Sequence, residues 1–157
     1  MAKATFNNVF SLECPEGFVQ LSEEEQQKFF LGKQLRLTFQ DKEKHILISL
    51  SKGNDSFLNR LFSNKAVIRG AASNMKNNLK DFESLGEEES VILGKPAITR
   101  CFSYVVNDQD IKQYGELSVF KIKSAFYVVH CLSRFESKEE SKKVFKQIID
   151  SFASVNA

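Results

Sequence analysis

Three cysteines and two histidines are the side chains best suited to nucleophilic or metal chemistry: Cys14, Cys101, Cys131, His45 and His130. A cysteine nucleophile needs a base within hydrogen-bond reach and a third group to orient that base. Cys131, His45 and an aspartate can be imagined as such a triad, but no spacing in the chain fixes their geometry. His130 stands in an apolar run and is read first as a core or sheet-edge histidine, and only second as a ligand or base. His45 follows Lys44 and is read as exposed. No C-x-x-C pair and no Cys/His spacing of the zinc type occurs, so no metal site is expected. The odd number of thiols fits a reducing compartment, with a single Cys101 to Cys131 bridge as the alternative.

Other chemical motifs are missing. Gly32-Lys33 and Gly94-Lys95 lack the rest of a phosphate loop, and Pro96 stands where a hydroxyl residue would be needed. There is no G-x-S-x-G elbow and no H-E-x-x-H. Glu23, Glu24 and Glu25 are explained by a helix start, and Glu87, Glu88 and Glu89 are read as a solvated turn. Tyr104, Tyr114, Tyr127 and the many phenylalanines could stack bases, but few basic residues are interleaved with them, so core packing is the preferred reading. The expectation is a protein that is not an enzyme and needs no cofactor.

The elements must therefore be read from patterning. At 157 residues with 42% hydrophobic content, the chain is expected to form one domain over residues 1–157 with a sizeable core. Fifteen Phe, three Tyr and no Trp make that core ring-rich and argue against disorder. Twenty-two basic against twenty acidic residues leave a net charge of +2, too balanced to indicate nucleic-acid binding. No segment reaches the roughly 18 apolar residues of a membrane span, and no apolar signal-type stretch opens the chain, so a cytoplasmic location is expected. Asn54-Asp55-Ser56 is a chance-level glycosylation triplet.

Residues 6–12 read as a first strand, and Pro15-Glu16-Gly17 as a turn. Ser22 and Glu25 form a capping box for a helix of two to three turns that Gly32 would stop. Two alternating strands follow, with Leu35, Leu37 and Phe39 on one face and Arg36, Thr38 and Gln40 on the other, then Ile46, Ile48 and Leu50 against His45, Leu47 and Ser49. Their polar face is expected to be solvated. Residues 53–63 form a connector whose Phe57, Leu58, Leu61 and Phe62 plug one end of the core, with a partner-binding knob as the alternative. A long helix spans 64–83 on the stripe Val67, Ala71, Met75, Leu79 and Phe82. Strands at 91–93, 97–106, 116–123 and 125–132 follow with short breaks, which favours antiparallel neighbours. The strands from Ala97 and Ala125 are apolar on both faces and so need cover on both. A last helix opens at a second capping box, Ser137 and Glu140, and buries Val144, Phe145, Ile148 and Phe152.

The apolar run Ala125-Phe126-Tyr127-Val128-Val129, the polar break, and Val144-Phe145-Lys146-Gln147-Ile148-Ile149-Asp150-Ser151-Phe152 resemble the ending of PsbP-like proteins. Cys14-Pro15-Glu16-Gly17-Phe18 resembles the opening of the bacterial DcrB-like members of that superfamily. The resemblance implies an α+β fold, an α/β/α sandwich with a central, mainly antiparallel sheet and helices on both faces. It also implies a role in binding proteins, such as chaperone or adaptor, and it carries no catalytic residues over. A protein partner is therefore expected, with no nucleic acid, for a monomer or homodimer. The exposed side of the first hairpin, Arg36, Thr38 and Gln40, is the expected partner surface. The alternative is a carrier of a small apolar ligand in a Phe-lined pocket between sheet and helix.

Overall fold

The computed structural model describes residues 2–30, 34–53, 62–106 and 110–155. Seven strands form one sheet in the order β3-β4-β5-β9-β8-β7-β6, and every neighbouring pair is antiparallel. They are β3 (Val19–Gln20), β4 (Arg36–Asp41), β5 (Ile46–Lys52), β6 (Lys80–Ile92), β7 (Lys95–Val106), β8 (Ile111–Ile122) and β9 (Ala125–Arg134). A three-stranded ribbon of β1 (Ala2–Phe6), β2 (Phe10–Cys14) and β10 (Ala153–Ser154) packs on one face together with the last helix, α3 (Lys138–Asp150). Helix α2 (Asn64–Asn78) covers part of the other face, and the short α1 (Glu23–Gln27) precedes β4. The expected sandwich around an antiparallel sheet is what the chain forms.

The period-two alternation splits the core in two. Phe39, Ile48, Leu50, Phe120, Tyr127 and Val129 face the ribbon and α3, where Phe10, Leu12, Phe145 and Ile148 meet them. Phe102, Leu117, Val119 and Phe126 face α2 and its buried Ile68. Phe6, Phe10, Phe120, Tyr127 and Phe152 meet mostly edge to face, with Phe10 touching four other rings. The phenylalanines that would have lined a carrier pocket thus pack on one another.

Several expectations are corrected. Residues 6–12 are not one strand: Asn7 and Asn8 both take left-handed backbone (φ 52° and 55°) and turn β1 into β2. Asparagine tolerates that region better than other side chains, and Val9 N–H donates to Phe6 O at 3.0 Å to close the turn over the two asparagines. The capping box at Ser22 forms in both directions, but α1 is only five residues long. The stop at Gly32 and the plug at residues 57, 58 and 61 lie outside the described residues; Phe62 itself is half exposed. The second capping box does not form, because a 3₁₀ turn over Phe135–Ser137 leads into α3 and leaves Ser137 without a side-chain cap bond.

The largest correction concerns residues 79–92. Leu79 is already extended (ψ 138°), so α2 ends at Asn78, and Phe82 belongs to β6, stacked on Phe102 at 5.7 Å. A stripe that continues by steps of four and three also satisfies an inward position of a strand, and here the sheet wins. The acidic residues Glu87, Glu88 and Glu89 accordingly lie in the middle of edge strand β6, paired with Arg100, Thr99 and Ile98, and form no turn. Charge is tolerated there because the strand is exposed at the sheet's margin.

Candidate functional site

Strand register brings three chemistry-bearing residues into one row. Cys101 pairs with Glu116, and Glu116 pairs with Cys131, on neighbouring strands β7, β8 and β9. All three face α3. Cys101 and Cys131 therefore stand two strand spacings apart, about 9–10 Å between Cα atoms. A disulfide spans at most about 7 Å, so the alternative bridge is ruled out by the register. All three cysteines are free thiols.

Tyr114, two residues before Glu116, shares its face and donates its hydroxyl hydrogen to Glu116 Oε2 at 2.7 Å. Its ring lies parallel to Phe145 of α3, at 6.4 Å and 6°. Lys142 Nζ reaches over that ring from the previous turn of α3, at 5.5 Å. One position further along each strand face, Thr99 Oγ1 and Ser118 Oγ hydrogen-bond at 2.6 Å. Thr99, Cys101, Glu116 and Ser118 floor a groove of about 610 Å³ between α3 and strand β6, whose walls include Glu88, Ser90 and Lys146.

Burial disfavours charge on this floor. Burial pushes the Cys101 thiol up, with smaller contributions from Glu116 and Glu88. Burial also raises Tyr114 and Glu116, although the Tyr114 hydrogen bond and Lys142 partly restore the carboxylate of Glu116. Cys14 is pushed up to about 12 and Cys131 well above its ordinary value, both by burial. A thiol nucleophile reacts as the thiolate, and every cysteine here is held in the opposite state. The triad of Cys131 and His45 is not assembled for that chemistry: His45 lies exposed in a turn with φ 58°, while Cys131 is buried. His130 cannot serve Cys131, because adjacent strand residues point to opposite faces.

The expected partner residues sit elsewhere. Thr38 is completely buried and shares a hydrogen bond of 3.1 Å with Ser49, so the polar face of the first hairpin is not the solvated surface expected of it. Arg36 is half-buried: its guanidinium lies 4.0 Å over the Phe30 ring and donates to Ser49 Oγ at 2.8 Å. Gln40 is partly buried, paired with Val19 and Leu47. Phe30, just beyond α1, lies across this face, and short hydroxyl side chains pair beside it. His130 completes the cluster between the rings of Phe30 and Phe102, at 5.7 and 5.9 Å. Burial, with Arg36 adding to it, lowers its pKa to about 4.

Sequence reasoning does not single out Glu116, and it reads Tyr114 only as a core ring. The available signal is that Thr99, Glu116 and Ser118 occupy inward positions, in phase with Ala97 and Phe120. Polar residues at inward strand positions mark either a satisfied pair or a groove, and here they mark both. Substituting Thr99 by valine keeps the shape but leaves the Ser118 hydroxyl without its partner. We expect a loss of about 1–2 kcal/mol in urea unfolding. The double variant Thr99→Val/Ser118→Ala should recover part of it, and full additivity would show that the pair is not coupled.

A family model described as PsbP-like protein matches residues 4–154. Among solved structures, the cyanobacterial PsbP (CyanoP) of Synechocystis sp. PCC 6803 is similar at 15% identity with TM-score 0.69, over 98% of this chain and 91% of that one. The Ran-binding protein Mog1p of Saccharomyces cerevisiae is similar at 9% identity with TM-score 0.64, over 98% and 95%. LpqN of Mycobacterium tuberculosis, involved in cell envelope biogenesis, is similar at 15% identity with TM-score 0.58, over 92% and 82%. At such identities the likeness carries the fold alone. No curated protein sequence matches. Among the described residues, no helix is long and apolar enough to cross a membrane.

Proposed function

The chain belongs to the PsbP-like protein family, and on that premise we propose that it is a protein-binding module without catalytic activity, an adaptor or chaperone for a protein partner. The observation that carries this reading is the groove between β6 and α3, which adjoins a strand edge left open among the described residues and has a floor of hydrogen-bonding groups. Such a groove offers shape and polar contacts but no activated nucleophile. The Ran-binding Mog1p, with the same fold, provides a precedent for a protein partner. The role proposed for the first hairpin passes to this groove, because Thr38 is buried and Arg36 is already committed to Phe30 and Ser49. Arg36 and Gln40 are left with a secondary, rim contribution. Three free cysteines fit a reducing compartment, and the cytoplasm is part of the same reading.

Photo-crosslinking tests it. Benzoyl-phenylalanine at Val91, which is 69% exposed beside the groove, should give a discrete protein adduct in lysate of the source cells. The same probe at Glu43, in the exposed β4–β5 turn, should give none. No adduct at Val91, or equal adducts at both positions, would overturn the reading.

A further inference from the structure

Strand β6 has one neighbour, β7, and among the described residues no strand pairs with its other side. It runs for thirteen residues, long for an edge, and its side chains are exposed almost throughout. Every second residue of an edge strand turns its N–H and C=O away from its neighbour, ready for another chain. Natural edges are commonly blunted by shortness, bulges or charge. Here the two register shifts lie between Lys80 and Gly86, and the stretch from Gly86 to Ile92 pairs regularly with β7. Val91 stays 69% exposed on that regular stretch.

The charge of the edge selects its occupant. β6 carries one lysine against five carboxylates. Glu87 is held by Arg100 Nη2 at 2.9 Å on the α2 side. Glu88 points the other way, into the groove, and its charge adds to the effect of burial on Glu116, while Lys142 offsets it from α3. Lys146 is already paired with Asp150 at 2.7 Å, so two carboxylates, Glu88 and Glu116, face one lysine across that space. A second copy of this chain, pairing edge to edge, would add its own acidic strand to this field and is disfavoured. A cationic segment would relieve the repulsion.

We propose that the outer edge of β6 takes an extended, lysine- or arginine-rich segment of the protein partner as an eighth strand, with basic side chains on one face entering the groove towards Glu88 and Glu116. Main-chain hydrogen bonds to the regular stretch supply affinity, and the acidic groove supplies selectivity. This rests on the protein-binding reading and gives the partner's chemistry.

A random dodecapeptide library displayed on phage and selected against the whole protein tests it. Enriched sequences should be rich in Lys or Arg at every second position and poor in proline and acidic residues. The best binder should slow amide exchange in residues 86–92. The variant Glu88→Lys/Glu89→Lys, changed only at exposed positions, should bind that peptide at least tenfold more weakly, and Glu88→Gln/Glu89→Gln should fall between. Enrichment of acidic, purely apolar or helically patterned peptides would overturn the proposal. So would no enrichment, protection away from β6, or indifference to both variants. A protein adduct at Val91 together with any of these results would sink the basic strand while leaving the protein-binding module standing.

Discussion

Gly115→Ala should lower stability by about 3 kcal/mol, at the upper end of what overpacking a core costs. Gly115 pairs directly with Phe102 across β7 and β8. The far end of the Phe102 ring lies over the glycine: a Cβ built there would collide with Cζ and stand 2.6 Å from Cε2 and 2.9 Å from Cε1. Real contacts do not approach so closely, so the ring must move. It has nowhere to go, being completely buried and in contact with Phe82, Tyr104 and His130 at 5.7, 6.1 and 5.9 Å. A loss of that size in a domain of this length lowers the melting temperature by about 6–12 °C. Phe102→Leu shortens the obstructing side chain, so the double variant should lose less than the two single changes combined. Additive losses in denaturant melts would show that Gly115 is small for another reason.

Features carried by one strand's alternation are legible in the sequence, and features that need two strands to pair are not. The two-faced strands at 97–106 and 125–132 were plain, because both alternations were apolar, and the cores on either face follow from them. The helical stripe overruns the end of α2, because Leu79 and Phe82 continue it while also meeting a strand's need for Phe82 to point inward. Only the pairing of β6 with β7 decides between them, and pairing is a tertiary fact. The same pairing turns three glutamates from a presumed turn into the middle of an edge. The burial of the first hairpin's polar face is hidden for a related reason: Arg36, Thr38 and Gln40 look solvated in a period-two pattern, yet small hydroxyls can be buried if they find each other, as Thr38 and Ser49 do. The row of Cys101, Glu116 and Cys131 needs the register of three strands, which no local spacing records.

His130 should make the fold acid-sensitive. Its pKa is about 4 in the folded chain against 6.5 as the ordinary value. Between those values the unfolded chain binds a proton that the folded chain refuses, so stability falls as pH is lowered through this window and is fully present above it. A shift of this size corresponds to at most about 3 kcal/mol. The cause is local: the imidazole lies between Phe30 and Phe102, its Nε2 is buried without a partner among the described residues, and the Arg36 guanidinium faces it. Glu116 opposes the trend. Its raised pKa lets the folded state hold a proton that the unfolded state has released, so this group's contribution improves as pH falls towards 4.5. The wild-type profile is the sum of the two, and variants separate them. Urea midpoints measured from pH 7 to pH 4 should fall steeply for Glu116→Gln, less steeply for the wild type, and least for His130→Gln. If His130→Gln loses stability in acid as fast as the wild type, the proton enters elsewhere, and His130 is already accommodated as a cation beside Arg36.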